Sequence, residues 1–186
     1  MSPADRSTLW PTRVSICEGT GPLTELRSAR LDDPDALLLI DEVQAEYQRR
    51  YGGPGDVAPI DASEFLAPDG VFVLVYVDDH PVAMGGWRRH DELPHSDDAE
   101  IKRMYVRPQF QRRGVARKLL AHLEQSAADA GVRRLVLETG PAQPDAIALY
   151  QSAGYIDVEP FGFYATLGST HLGKALDVAA PHRLQT

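Results

Sequence analysis

The stretch from Ala99 to Gly154 reads as strand, loop, helix, strand, helix, and this order constrains the fold more than anything else in the chain. Gly114 to Ala130 is the clearest helix. Ala116, Leu119, Leu120, Leu123, Ala127 and Ala130 recur on one face at spacings of three and four, and Gly131 supplies a stop. Leu135, Val136 and Leu137 form an unbroken apolar run, the pattern of a strand covered on both sides. Pro144 opens another helix where its missing N–H is harmless, and Ala146, Leu149, Tyr150 and Ala153 line one face before Gly154. A strand, a covering helix and a returning strand predict a right-handed parallel crossover.

Upstream, Leu23–Leu31 alternates with period two and reads as a first strand. Asp32 or Asp33 caps a helix to about Tyr51, which Gly52 and Gly53 end. A loop follows from Pro54 to Pro59, then a short helix over Asp61–Leu66. Val71–Asp78 and Pro81–Arg89 flank Asp79-His80 and predict an antiparallel hairpin. The polar stretch from His90 to Asp98 reads as a surface loop. The fold class is α/β (α+β): a mixed sheet, antiparallel in its first part, with a parallel pair later. Residues 1–22 read as an N-terminal arm or tail, 23–178 as a single domain and 179–186 as a C-terminal tail.

The longest apolar run, Val71–Val77, is far short of the roughly 20 residues of a spanning helix, so a cytoplasmic protein with no membrane partner is expected. Cys17 is the only cysteine, which precludes an internal disulfide and makes a zinc site improbable. The six histidines (His80, His90, His95, His122, His171, His182) show no ligand spacing, so no metal is expected. The net charge of −8 argues against nucleic acid as a partner. Yet Lys102, Arg103, Arg107, Arg112, Arg113, Arg117 and Lys118 lie within 17 residues without an acid among them. Such a block is either a solvated helix face or a grip for a small polyanion.

Its position bears on the choice. In Ala99–Val106 the apolar parity slips at Lys102-Arg103, as in a β-bulge or a strand buried on both faces. Pro108 ends the ladder. Gln111-Arg112-Arg113-Gly114-Val115-Ala116 then enters the long helix, whose N-terminus offers unpaired N–H groups and the positive end of a dipole. Gly114 lets a phosphate approach the backbone without a Cβ in the way. Placement therefore favours an anion site.

These residues carry a resemblance. Gln111-x-x-Gly114-x-Ala116 after a strand, with Glu100–Val106 before it, Leu135–Thr139 after it, and Ala146–Tyr150 with Gly154-Tyr155, is similar to the GNAT superfamily of N-acetyltransferases over about residues 60–177. The resemblance implies a mostly antiparallel sheet with flanking helices and a splayed central pair, Ile101–Val106 and Leu135–Thr139. It implies acetyl-CoA as co-substrate and an amine as acceptor. Met104, Tyr105, Val106, Gln111, Arg112, Arg113, Gly114, Val115, Ala116, Arg117 and Gln143 are then expected at the cofactor. Gln143 stands where many relatives carry Asn.

Acetyl transfer needs the amine deprotonated, the thioester carbonyl polarised and the departing thiolate stabilised. The resemblance implies Glu100 as base, commonly through water, although a salt bridge is its ordinary reading. It implies Tyr150 as proton donor to sulfur, although a core aromatic is the ordinary reading of its helix face. A backbone N–H near Met104 or Tyr105 would polarise the carbonyl. Asp91, Glu92, Asp97, Asp98 and Glu100 form either an attractor for a cationic acceptor or a solubilising loop. Phe161, Phe163 and Tyr164 either wall an acceptor pocket or pack a hairpin. A homodimer is compatible with this reading. Two other classes are a non-catalytic acyl-CoA sensor and a DNA regulator using helix 112–130, the latter opposed by the chain's charge.

Overall fold

The computed structural model describes residues 13–16 and 24–177. Among them eight strands form one sheet in the order β1-β2-β3-β4-β5-β6-β8-β7. The strands are β1 (Arg13–Ile16), β2 (Thr24–Ala29), β3 (Gly70–Val77), β4 (His80–Arg88), β5 (Asp98–Val106), β6 (Arg134–Thr139), β7 (Ile156–Asp157) and β8 (Thr170–Ala175). Every neighbouring pair is antiparallel except β5 and β6. Strand β1 corrects the reading of residues 1–22 as an irregular arm. Its four residues are too few for alternation to stand out, and only pairing with β2 reveals them. The remainder of that arm, Cys17 included, and the tail 179–186 lie outside the described residues.

Helix α1 (Pro34–Tyr51) begins at Asp33, whose side chain accepts the Asp35 N–H at 2.9 Å, and ends at Gly52. Helix α2 (Val115–Asp129) is the crossover between β5 and β6, and α3 (Pro144–Ser152) follows β6. Strand β3 is buried along its whole length because the sheet is covered on both faces. Val71, Val73, Val75 and Val77 point to the side packed by Leu119, Leu120 and Leu123 of α2. Phe72, Leu74 and Tyr76 point to the side packed by Leu39 and Val43 of α1. Fully burying a side chain of this kind contributes about 1.5–3 kcal/mol. The Trp87 indole N–H donates to Ser126 Oγ at 2.8 Å in this core, which fixes α2 against β4.

Two irregularities in β5 open the sheet. Met84 faces Tyr105, but Gly86 faces Lys102, so β5 carries an extra residue there, and Arg103 takes a left-handed φ of 60°. This is the bulge behind the parity slip. In addition, β6 pairs with β5 only through Asp98–Glu100, after which the two strands part. The β6-facing backbone of β5 beyond Glu100 thus borders a cleft. Among the described residues no helix is long and apolar enough to cross a membrane.

Candidate active site

Two cavities of about 380 Å³ each open into the cleft between β5 and β6. The first is lined on the α2 side by Met104, Tyr105, Val106, Gln111, Arg112, Gly114, Ala116 and Arg117. The second lies toward the loops after α1 and β7, and is lined by Tyr51, Asp56, Lys102, Arg103, Glu138 and Tyr164 among others. Tyr47, Met104, Gln143, Ala146 and Tyr150 border both, so the cavities meet at a waist with Tyr150 in its wall.

The first cavity has Arg50, Arg112 and Arg117, and also Glu46 and Asp145, in its wall. Gly114 caps α2 with φ 79° and offers no side-chain hydrogen bond, leaving the first N–H groups of the helix available. Arg112 next to it is also left-handed, at φ 59°. A Cβ placed on Gly114 would meet nothing within 4 Å and would stand in open cleft. Of the residues expected at a cofactor, Arg113 and Val115 do not line this cavity. Arg113 lies over the Phe110 ring at 5.5 Å and the Val115 side chain is in the core, although its N–H belongs to the first helical turn. Gln111 lines the wall, but its amide donates to Val106 O at 2.9 Å and ties the loop to the end of β5. Gln143 borders both cavities.

Tyr150 is both of the things its helix position allowed: 6% exposed within the core, yet bordering both cavities. Burial raises its phenol pKa above the ordinary value, and it is protonated at neutral pH as any tyrosine is. Glu100 stands differently from expectation. It is 2% exposed, receives Arg88 Nε and Nη2 at 3.1 and 3.0 Å, meets His90 Nε2 at 3.1 Å and Lys102 Nζ at 3.0 Å. Burial alone would raise its pKa, but the His90 bond and the Lys102 and Arg88 charges outweigh it and hold the group at about 2. So weak a base, at the paired end of β5 and in neither cavity wall, is poorly suited to take a proton from an amine. Two carboxylates that the sequence did not single out do face the second cavity, Asp56 and Glu138. Glu138 Oε1 accepts from Lys102 Nζ, while Oε2 is buried with no partner. Neither residue belongs to a motif, and only the splay and the loop closure bring them to the cavity.

The other acids are dispersed. Asp98 is paired with Arg134 at 2.6 Å and Asp97 with Arg133 at 3.6 Å; none of Asp91, Glu92, Asp97 and Asp98 lines either cavity. The supposed acidic attractor is therefore a set of structural pairs and loop acids at the far end of β5. Of the aromatic trio, only Tyr164 reaches the cavity wall. Its hydroxyl donates to Asp56 at 2.7 Å and accepts the Val57 and Ala58 N–H groups, stapling the loop after α1 to the loop after β7. Phe161 packs on the His171 ring and Phe163 is exposed. At the far wall the Tyr51 hydroxyl comes so close to Gly140 that a Cβ there would lie 2.2 Å from it. No cluster of potential metal ligands occurs among the described residues.

A parallel pair split around a groove, with an uncapped helix N-terminus at one end and a cavity lined by charged side chains at the other, is the arrangement on which the comparisons with known proteins bear. The chain belongs to the acetyltransferase (GNAT) family, whose family model matches residues 38–155, and its class is acetyl-CoA-dependent N-acetyltransferase. It is 28% identical over 119 residues to an aminoglycoside N(6')-acetyltransferase type 1 of Salmonella typhimurium, covering 61% of this chain and 81% of that one. It is 45% identical over 65 residues to an IAA acetyltransferase of Azospirillum brasilense, but there it spans only 35% of this chain and 42% of the relative's length. Among solved structures, an acyl-CoA N-acyltransferase of Klebsiella pneumoniae superposes with TM-score 0.66 at 25% identity, covering 82% and 97% of the two chains. The GNAT domain of S. lividans PAT superposes with TM-score 0.69 at 23% identity, covering 90% and 99%.

Proposed function

We propose that this protein moves the acetyl group of acetyl-CoA directly to the primary amine of a small molecule or peptide within a ternary complex. The observation that carries the reading is the shared waist: both cavities meet beside Tyr150, so donor and acceptor can sit on opposite sides of it without a covalent enzyme intermediate. The name of the aminoglycoside N(6')-acetyltransferase relative points the same way.

Bound acetyl-CoA supplies an activated thioester. In our reading the first N–H groups of α2, with Arg112 and Arg117 beside them, hold its diphosphate. The open backbone of β5 beyond the paired residues orients the arm, and an N–H near Met104 or Tyr105 polarises the carbonyl. Tyr150, protonated at neutral pH and placed at the waist between the cavities, gives its proton to the departing sulfur. The amine's proton goes to the carboxylate of Glu138, which lines the acceptor cavity, in place of Glu100. Glu100 has the separate task of holding Lys102, and through it Glu138, in position.

The test is thiol release from acetyl-CoA across a panel of amines, with Tyr150→Phe alongside. Turnover is expected to fall about 10²- to 10⁴-fold in the variant while its affinity for acetyl-CoA holds. Equal turnover in both proteins would leave Tyr150 as packing alone. No thiol release with any amine would leave a cofactor-binding module in place of an enzyme.

A further inference from the structure

Acetyl transfer to an unspecified amine leaves the guanidinium of Arg103 without work. Its side chain is only 10% exposed and lines the acceptor cavity, yet Nε and Nη1 are buried without a hydrogen-bond partner. Asp56 Oδ2 approaches Nη1 at 3.4 Å, but no hydrogen bond forms, and Oδ1 of the same carboxylate is engaged by the Tyr164 hydroxyl. The backbone that delivers Arg103 is the left-handed bulge of β5, a conformation unfavourable for any residue with a side chain. Glu138 lines the same cavity and has a buried Oε2 without a hydrogen-bond partner. Buried charged groups with unmet hydrogen bonds are costly, and here one is a donor and the other an acceptor.

The charges also cancel. Asp56 and Glu138 stand against Lys102 and Arg103 in the cavity wall. A polycation would find no surplus of acid there, whereas a molecule carrying one charge of each sign would match the cavity's two signs at once.

We propose that the acceptor is a zwitterion, an amino acid whose carboxylate docks on the Arg103 guanidinium while its amino group is delivered at the Glu138 carboxylate. Tyr47, Tyr51 and Tyr164 then border the space left for its side chain, in a cavity of about 380 Å³. The chemistry at nitrogen rests on the transfer reading above; the grip on the carboxylate does not.

The experiment uses the full chain loaded with CoA and a panel of the common amino acids, each beside its carboxamide and its decarboxylated amine. Binding is measured by calorimetry, and thiol release from acetyl-CoA is followed separately. At least one amino acid is expected to bind about 10- to 100-fold more tightly than its carboxamide, the loss of one charge-assisted contact. Arg103→Gln is expected to remove that preference and Arg103→Lys to keep part of it. Should Arg103→Gln fail to fold, Asp56→Asn reads the same contact from the other side: it retains an oxygen for Tyr164, removes the competing charge and widens the preference for acids. Carboxamides that bind as well as the acids, with transfer to them intact, overturn the zwitterion inference alone. Acids preferred in binding without any thiol release uphold it and overturn the transfer reading.

Discussion

Replacing Gly114 with alanine separates the stability of the α2 entrance from its use as a phosphate seat. Gly114 holds φ 79°, where a residue with a Cβ loses about 1 kcal/mol relative to glycine. Nothing lies within 4 Å of the added carbon, so no clash adds to that cost. For a chain of this size the melting temperature should fall by about 2–4 °C. The methyl group would stand in the cleft next to the free N–H groups of Val115 and Ala116, holding a diphosphate off at least one of them. A lost charge-assisted hydrogen bond is worth about 1.5–3 kcal/mol, or roughly 10- to 100-fold in affinity. Calorimetry with CoA reads that loss. The kcat/KM for acetyl-pantetheine, which lacks the diphosphate, is the control and should be nearly unchanged. A variant that melts earlier yet binds CoA as the wild type does, or that loses both donors equally, would refute the placement of the diphosphate.

Glu138→Gln is expected to lower turnover about 10²-fold or more at neutral pH without weakening acetyl-CoA binding, and steady-state kinetics of both donors decides it. Glu100 makes its mark on stability instead. Its folded pKa of about 2 lies below the ordinary 4.5, so its contribution, on the order of 3 kcal/mol, is complete above about pH 5 and disappears as pH falls toward 2. Urea midpoints from pH 7 to pH 2 should therefore fall more steeply in the wild type than in Glu100→Gln, which starts lower because Arg88 and Lys102 lose their shared carboxylate. Parallel slopes would show that the carboxylate titrates normally. Ser126→Ala should cost about 1–3 kcal/mol by leaving the buried Trp87 N–H without an acceptor, with catalysis unaffected; a melting temperature within error of wild type would count against that bond.

Much of the fold was legible in the linear pattern, because helix and strand periods and their stops are local. Asp33, Gly52, Gly131 and Pro144 mark ends at or beside the positions where the elements begin or stop. The parity slip at Lys102-Arg103 left a bulge and a strand buried on both faces open, and the register of β4 against β5 decided for the bulge, whose inserted residue flips every side chain beyond it. Gly114 at the mouth of an amphipathic helix marked the start of α2 for the same local reason. What no local pattern carries is which charges neutralise one another. Glu100, Arg88 and Lys102 are separated from their partners by up to 36 residues, and their burial together turned an apparent base into a structural anion. Likewise Asp56, Arg103, Glu138 and Tyr164 sit on two strands and two loops with no common spacing. Period and capping declare themselves over one or two turns of chain, but a charge takes its chemistry from whatever folding sets within a few ångströms of it, and that distance exists only in three dimensions.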